Sequence, residues 1–202
     1  MQKIFSQEIR FKADDGSEFP DWENCSVNDC LVESKIKGGT GRGTRKLTVK
    51  LWNKGVKEKQ ETIEGSESTQ YFIRRAGQFI YSKLDFLNCA FGIVPAELDG
   101  YQSTIDLPCF DFKENTVPYY FLNKVVQKNF YEQHGEKADG SRKARRINQD
   151  TFLAMPIKLP CKLEQEKITL ALSAIDEKIQ QLTVSLEANK TFKKGLLQQM
   201  FV

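Results

Sequence analysis

Residues 168–200, "ITLALSAIDEKIQQLTVSLEANKTFKKGLLQQM", decide how the rest of the chain is read. Apolar side chains recur there at alternating spacings of four and three: Ile168, Leu172, Ile175, Ile179, Leu182 and Leu186. The same frame then meets Asn189 and Lys193 and resumes at Leu196 and Met200. This alternation predicts a helix whose narrow apolar seam faces another helix, as in a coiled coil. No proline interrupts it and only Gly195 weakens it, while Glu164 and Glu166 place negative charge where a helix start favours it. At 1.5 Å per residue the helix spans about 50 Å. A preceding domain of about 140 residues has a radius of gyration near 15 Å. The helix is therefore expected to project, and its seam to need a mate. Asn189 is the kind of buried polar residue that fixes register at some cost in stability.

Upstream of Pro160 the composition changes. The run "KLTVKLW" (46–52) alternates apolar and polar residues with the period of a half-buried strand. "GQFIYS" (77–82), "NCAFGIVP" (88–95) and "LPCFDF" (107–112) are short aromatic or β-branched runs punctuated by Gly, Pro and Asp, and they also predict strands. The stretch "TVPYYFLNKVVQKNFYEQHG" (116–135) shifts to a helical period. Pro118 sits where a first turn tolerates it, Leu122, Val125, Val126 and Phe130 share a face, and Gly135 ends the helix. "KADDGSEFPD" (12–21) reads as a turn-rich linker. The predicted class is α+β: an N-terminal segment (1–21), a β-rich domain (22–160) and a long coiled-coil helix (161–202).

The chain has 202 residues, of which 40% are hydrophobic and 28% charged, an ordinary globular balance. It has no apolar run of membrane-span length and no signal-peptide core at its start, which predicts a cytoplasmic protein with no membrane partner. Five scattered cysteines and the lone His134 do not have the spacing of a metal site, so no metal is expected and the thiols are read as reduced. Net charge is only +3, but positive residues concentrate in "GRGTRK" (41–46), Arg74-Arg75 and "SRKARR" (141–146). One such run is ordinarily a solvated face; three in a small domain favour a polyanion.

The chemistry-bearing patterns are weak. "NTVPYY" (115–120) lacks the second proline of an adenine methyltransferase motif. "GGTGRGTRK" (38–46) misses the spacing of a phosphate-binding loop. Asp99 with Asp111 and Lys113 fits a nuclease only loosely, and His134 has no nucleophile placed beside it. No catalytic residue is expected. The alternative functions are a nuclease or methyltransferase fragment, or a coiled-coil scaffold that reads no DNA.

"IKLPCKLEQEKITLALSAIDEKIQQL" (157–182) followed by "KKGLLQQMF" (193–201) resembles the conserved region of the specificity subunits of type I restriction-modification systems. There a Leu-Pro segment opens a long helix that closes on a Gly-Leu-Leu-Gln-like motif. "QKIFSQEIRFKADDGSEFPDWE" (2–23) is similar to the segment leading into that family's second target recognition domain. "AGQFIYSKLDFLNCAFGIVPAELDGYQST" (76–104) and "ADGSRKARRINQDTFLAMPIKLP" (138–160) resemble the body of such a domain. The family implies two recognition domains and two antiparallel helices, whereas this chain holds one of each. Its edges also echo one another, Met1-Gln2-Lys3-Ile4-Phe5 against Leu197-Gln198-Gln199-Met200-Phe201, as one unit of a tandem pair would.

The resemblance therefore implies a half-length, non-enzymatic DNA-specificity subunit. Its seam, Ile168, Leu172, Ile175, Ile179, Leu182, Leu186, Asn189, Leu196 and Met200, would pair antiparallel in a homodimer. Its partners would be double-stranded DNA, a modification (methyltransferase) subunit and, through the complex, a restriction (endonuclease) subunit. S-adenosylmethionine, Mg2+ and ATP are expected on those partners, with no cofactor on this chain. The expected DNA-facing residues are Ser141, Arg142, Lys143, Arg145 and Arg146, then Arg42, Arg45 and Lys46, then Arg74 and Arg75. Lys83 and Asn88 are added by the resemblance. Arginines suit phosphates and guanine, and amides such as Gln102, Asn148 and Gln149 suit adenine.

Overall fold

The computed structural model describes residues 1–40, 43–60, 68–135 and 146–200. Its centre is an antiparallel sheet in the order β2 (Leu31–Ser34), β10 (Cys109–Phe112), β7 (Phe79–Tyr81) and β8 (Phe91–Ile93). All three residues of β7 are fully buried, because both faces of the strand are covered. The two-residue period sends Phe79 and Tyr81 into one core and Ile80 into another. The first core is aromatic: Phe79 meets Phe121 edge-on with centroids 5.2 Å apart, and Tyr81 lies 4.6 Å from Phe152. The Tyr81 hydroxyl donates to the carbonyl of Ile147 at 3.0 Å, so the ring's polar end is satisfied at depth.

The second core lies under the hairpin of β4 (Leu47–Val49) and β5 (Val56–Glu58). A second sheet, β3 (Lys37–Thr40), β6 (Gln70–Ile73) and β9 (Gln102–Ser103), flanks it. The strand expected over 46–52 stops at Val49, because Trp52 and Asn53 turn the chain with left-handed backbone, φ +60° and +52°.

The helix expected over 116–135 is two helices, α3 (Pro118–Val125) and α4 (Lys128–Gly135). Gln127 makes the break. Its backbone N–H bonds the carbonyl of Lys124 at 3.3 Å, and its side-chain amide takes the carbonyl of Asn123 at 2.8 Å in place of the next turn's N–H. Gly135 ends α4 against Leu87, where a Cβ would come within 2.3 Å of Leu87 Cδ2. Short helices α2 (Val27–Cys30) and α5 (Gln149–Leu153) cover the aromatic core at residues such as Val27, Cys30 and Phe152.

Strand β1 (Glu23–Ser26) pairs antiparallel with β11 (Pro156–Leu159), Glu23 opposite Leu159, so the chain enters and leaves the domain side by side. Helix α6 (Lys162–Met200) follows at once, with Glu164 in its first turn. Its first turns are anchored by buried polar groups. Gln165 accepts the Val117 N–H at 2.8 Å and donates to the carbonyls of Asn115 and Pro160, both at 2.9 Å. Glu164, wholly buried, accepts from Arg10 Nη2 at 2.9 Å and Trp22 Nε1 at 3.0 Å.

Residues 1–21 are therefore no free linker. Helix α1 (Gln2–Phe5) inserts Phe5 against Tyr120, Arg10 grips Glu164, and Lys167 Nζ bonds Asp14 and the carbonyl of Lys12, each at 2.6 Å. The fold is the expected α+β body with a long C-terminal helix. At 1.5 Å per residue α6 is about 58 Å long, and the part from Ala174 onward, exposed at every described side chain except Gly195, reaches about 40 Å.

Candidate nucleic-acid interface and helix seam

The seam divides in two. Ile168 and Leu172 (3% exposed) belong to the domain's own aromatic core, which corrects their assignment to a helix partner. The α3 and α6 helices pack here, and the Tyr119 hydroxyl donates to the carboxylate of Asp176. Beyond that point Ile175 (54% exposed), Ile179, Leu182, Leu186 and Leu196 lie open to solvent in one frame, together with Asn189. Met200 ends the helix, and its side chain lies outside the described part.

The basic residues separate by depth. Arg42, Ser141, Arg142, Lys143 and Arg145 lie outside the described residues. Arg146 is exposed, with Nη1 3.5 Å from Asp106 Oδ1. Arg45 is exposed, and its guanidinium sits 5.9 Å from the Tyr101 ring centroid. Arg75 is also exposed and pairs with Asp99 at 3.4 Å. Such surface pairs contribute little and leave an arginine available to another anion.

Three expected DNA contacts are instead structural. Arg74 is only 2% exposed, and its guanidinium donates to Ser103 Oγ at 2.7 Å and to the carbonyls of Leu107 (2.8 Å), Ser34 (3.3 Å) and Thr104 (3.3 Å). A guanidinium that tethers three segments has no fork left for a phosphate. Lys46 is buried with its ammonium 4.7 Å from the Tyr71 ring centroid. Lys83 is buried too: desolvation pulls its pKa below the ordinary lysine value, opposed by Asp106 and Glu33. Its backbone bonds both Asp106 and Ile147, so it ties the 104–107 loop to the segment carrying Arg146.

The amides are partly committed. Gln102 Oε1 accepts the Gly39 N–H at 2.9 Å, and Gln149 Nε2 donates to Glu33 at 3.0 Å. Asn148 is exposed at the start of α5, and Asn88 is half-buried with a long 3.5 Å contact to Asp85. What the structure brings together is Lys83, Asp106, Arg146, Glu33 and Gln149 around one loop. Sequence spacing could not have grouped them.

The loosely nuclease-like residues do separate jobs. Asp99 accepts the Ala76 N–H at 2.8 Å, Asp111 accepts from Gln78 at 2.9 Å, and Lys113 donates to the Asn28 carbonyl at 2.6 Å. Burial pushes the Cys30 and Cys109 thiols up to about 12 and Cys89 to about 11, far from a thiolate nucleophile at neutral pH. His134 stacks edge-on to Phe130 and lines a 520 Å³ concavity with Phe5, Lys124 and Lys158. No group of three metal-ligating side chains gathers among the described residues, and no helix there is long and apolar enough to cross a membrane.

The sequence reading missed Trp52, which is 58% exposed at the tip of the β4–β5 hairpin. Treating 46–52 as one strand hid it; the Asn53 and Gly55 that follow were the available turn signal.

The site therefore rests on a β-rich body whose first and last strands pair and which launches a long helix with an open apolar seam. No protein-family model matches the chain. Among solved structures it is similar to the HsdS subunit from Thermoanaerobacter tengcongensis, with 15% identity and a TM-score of 0.58 over 81% of this chain and 44% of that one. A chain from a structure of the assembly and conformational transition of the type I restriction-modification system matches at 14% identity and TM-score 0.58, over the same shares. The type I restriction-modification S subunit from M. genitalium matches at 10% identity and TM-score 0.50, over 90% of this chain and 46% of that one. At these identities the likeness shows the fold, and this chain spans a little under half the length of the chains it matches.

Proposed function

We propose that this chain is the DNA-specificity component of a type I restriction-modification complex. In this reading it recognises one half of a bipartite DNA target and directs modification and restriction subunits to it. The observation that carries this is the fold likeness, which takes in 81–90% of this chain and 44–46% of each matched chain. A body that is half of a two-part reader, with an unmated seam from Ile175 to Leu196, is what an antiparallel pair of such halves requires.

Two copies pairing their free helices would hold two domains apart across the duplex and read an inverted repeat with an unread spacer. Arg146, Arg45, Arg75 and the 141–145 run supply phosphate and base contacts. The chain binds no cofactor; S-adenosylmethionine, Mg2+ and ATP act on the partner subunits. The setting is cytoplasmic.

The test is a methylome. The chain is co-expressed with a type I modification subunit, and adenine methylation is mapped across the host genome by long-read sequencing. A split palindromic motif is expected from two identical halves. An asymmetric motif would replace the homodimer by pairing with a different half. Absence of new methylation with every cognate modification subunit would sink the reading.

A further inference from the structure

We propose that the turn Leu51–Lys54 is a DNA-contacting element, with the Trp52 indole set against the bases of a groove and Lys50, Lys54 and Lys57 on the flanking phosphates. The inference rests on the DNA-reading function above and adds to it residues that no basic run or family likeness indicated.

In the hairpin, Leu47 lies opposite Glu58 and Val49 opposite Val56; the Lys50 N–H bonds the Gly55 carbonyl at 2.9 Å. The Lys54 N–H then reaches the Leu51 carbonyl at 3.4 Å, leaving Trp52 and Asn53 as the two central residues with φ of +60° and +52°. Those are the marks of a type I′ turn, which strongly prefers Asn, Asp or Gly at its centre. A bulky aromatic with positive φ is an outlier at such a position.

The surrounding structure holds that conformation in place. The Trp52 N–H donates to the Asn88 carbonyl at 2.8 Å and the Asn53 N–H to the Cys89 carbonyl at 2.9 Å. Cys89 itself carries φ +52°. Below the turn, Val56 packs so closely on β8 that a Cβ at Gly92 would lie 2.7 Å from its Cγ2. The hairpin is clamped at its turn and at the pair just below it.

That clamping does not bury the side chain it presents. Trp52 is more exposed than buried, and Leu51 beside it is exposed too. Strain retained by surrounding structure at a residue left mostly in solvent is characteristic of a functional position. The flanking charge says which partner fits. Lys50, Lys54 and Lys57 are all exposed and make no ion pair among the described residues, with Glu58 the carboxylate of the two strands. An indole amid exposed ammonium groups matches a polyanion with a groove through which an apolar wedge can enter between base steps, which is duplex DNA. The same turn bonds the Asn88 carbonyl, and exposed Arg45 precedes β4 at the opposite end of the hairpin.

The test uses the full chain and a fluorescein-labelled mixed-sequence duplex, with binding followed by polarisation across a KCl series. Trp22 is buried and Trp52 exposed, and these are the chain's two tryptophans, so DNA-induced quenching of the exposed one reports contact directly. Expected results are quenching in the wild type and about tenfold weaker binding for Trp52→Ala, from loss of the apolar wedge in the groove. The triple change Lys50→Ala, Lys54→Ala and Lys57→Ala should lower the slope of log K against log salt by about 2.7, at 0.9 per phosphate contact. Trp52→Asn, which suits the turn, should melt about 2–4 °C higher while binding DNA less well. A wild type that binds while all three variants bind equally, with unchanged salt slope and an unquenched Trp52, overturns this proposal alone. A wild type that binds no duplex at low salt overturns the DNA-reading function, and this element with it.

Discussion

The two parts of α6 obey one periodicity and live in different environments. At the root, Glu164, Gln165, Ile168 and Leu172 are buried by the chain's own domain; from Ile175 onward the same seam meets solvent. Period fixes which side chains share a face. What covers that face is decided by which elements stand next to it, here α3 and the segment that carries Arg10 and Trp22.

The sharpest way to break this contrast is at the buried anchor. Glu164→Ala removes the acceptor of both Arg10 and Trp22 and leaves a half-buried guanidinium without its main partner. A loss of about 3–5 kcal/mol is expected in urea unfolding, the usual result of breaking a buried pair from one side. A loss below about 1 kcal/mol would mean that the N-terminal segment does not brace the helix.

Next in size is a pair of leucines on the one helix. Leu172→Ala should cost about 2–5 kcal/mol, because it empties a filled core site. Leu186→Ala should shift unfolding of the dilute monomer by less than about 0.5 kcal/mol, as for an exposed site. The order reverses for association: sedimentation velocity should show the Leu186 variant, and more so Ile179→Asp with Leu182→Asp, weakening any self-pairing. Equal costs at both leucines would show that the outer helix folds back on the domain.

Alkaline pH probes the core. Cys30 and Cys109, raised by burial from 9.0 to about 12, stay protonated in the folded chain while the unfolded chain ionises. Their contribution is whole below about pH 9 and declines from there toward pH 12. The slope is about 1.4 kcal/mol per pH unit for each thiol. Cys109→Ala should flatten the alkaline limb of a stability-versus-pH curve; an unaltered limb would show that this thiol ionises freely when folded.

The smallest effect belongs to the exposed end of the brace. Lys167→Ala breaks the contact to Asp14, which is fully open to water, and should cost no more than about 1 kcal/mol by thermal melt. A larger loss would place the brace's energy in that outer contact.

Much of the architecture was legible in the chain itself. The short aromatic runs became β7, β8 and β10 because residues such as Phe79, Ile80 and Tyr81 favour a strand whatever covers it. The seam became a long helix because its period and its freedom from proline leave no competing conformation. Local chemistry also set two finer points that the run of apolar residues concealed: Gln127 splits α3 from α4, and Asn53 and Gly55 bend the chain at Trp52.

Depth was not legible. Arg74 and Arg75 are neighbours in sequence, yet one side chain holds four internal acceptors and the other faces solvent. Lys83 reads as a surface lysine until the 104–107 loop closes over it. Element types, the helix period and the stock of positive charge follow from backbone preference and residue chemistry, so the chain carries them locally. Which arginines and lysines face solvent, which seam residues are already mated and that Trp52 is held outward are set by folding, because burial depends on contacts between segments far apart in the chain.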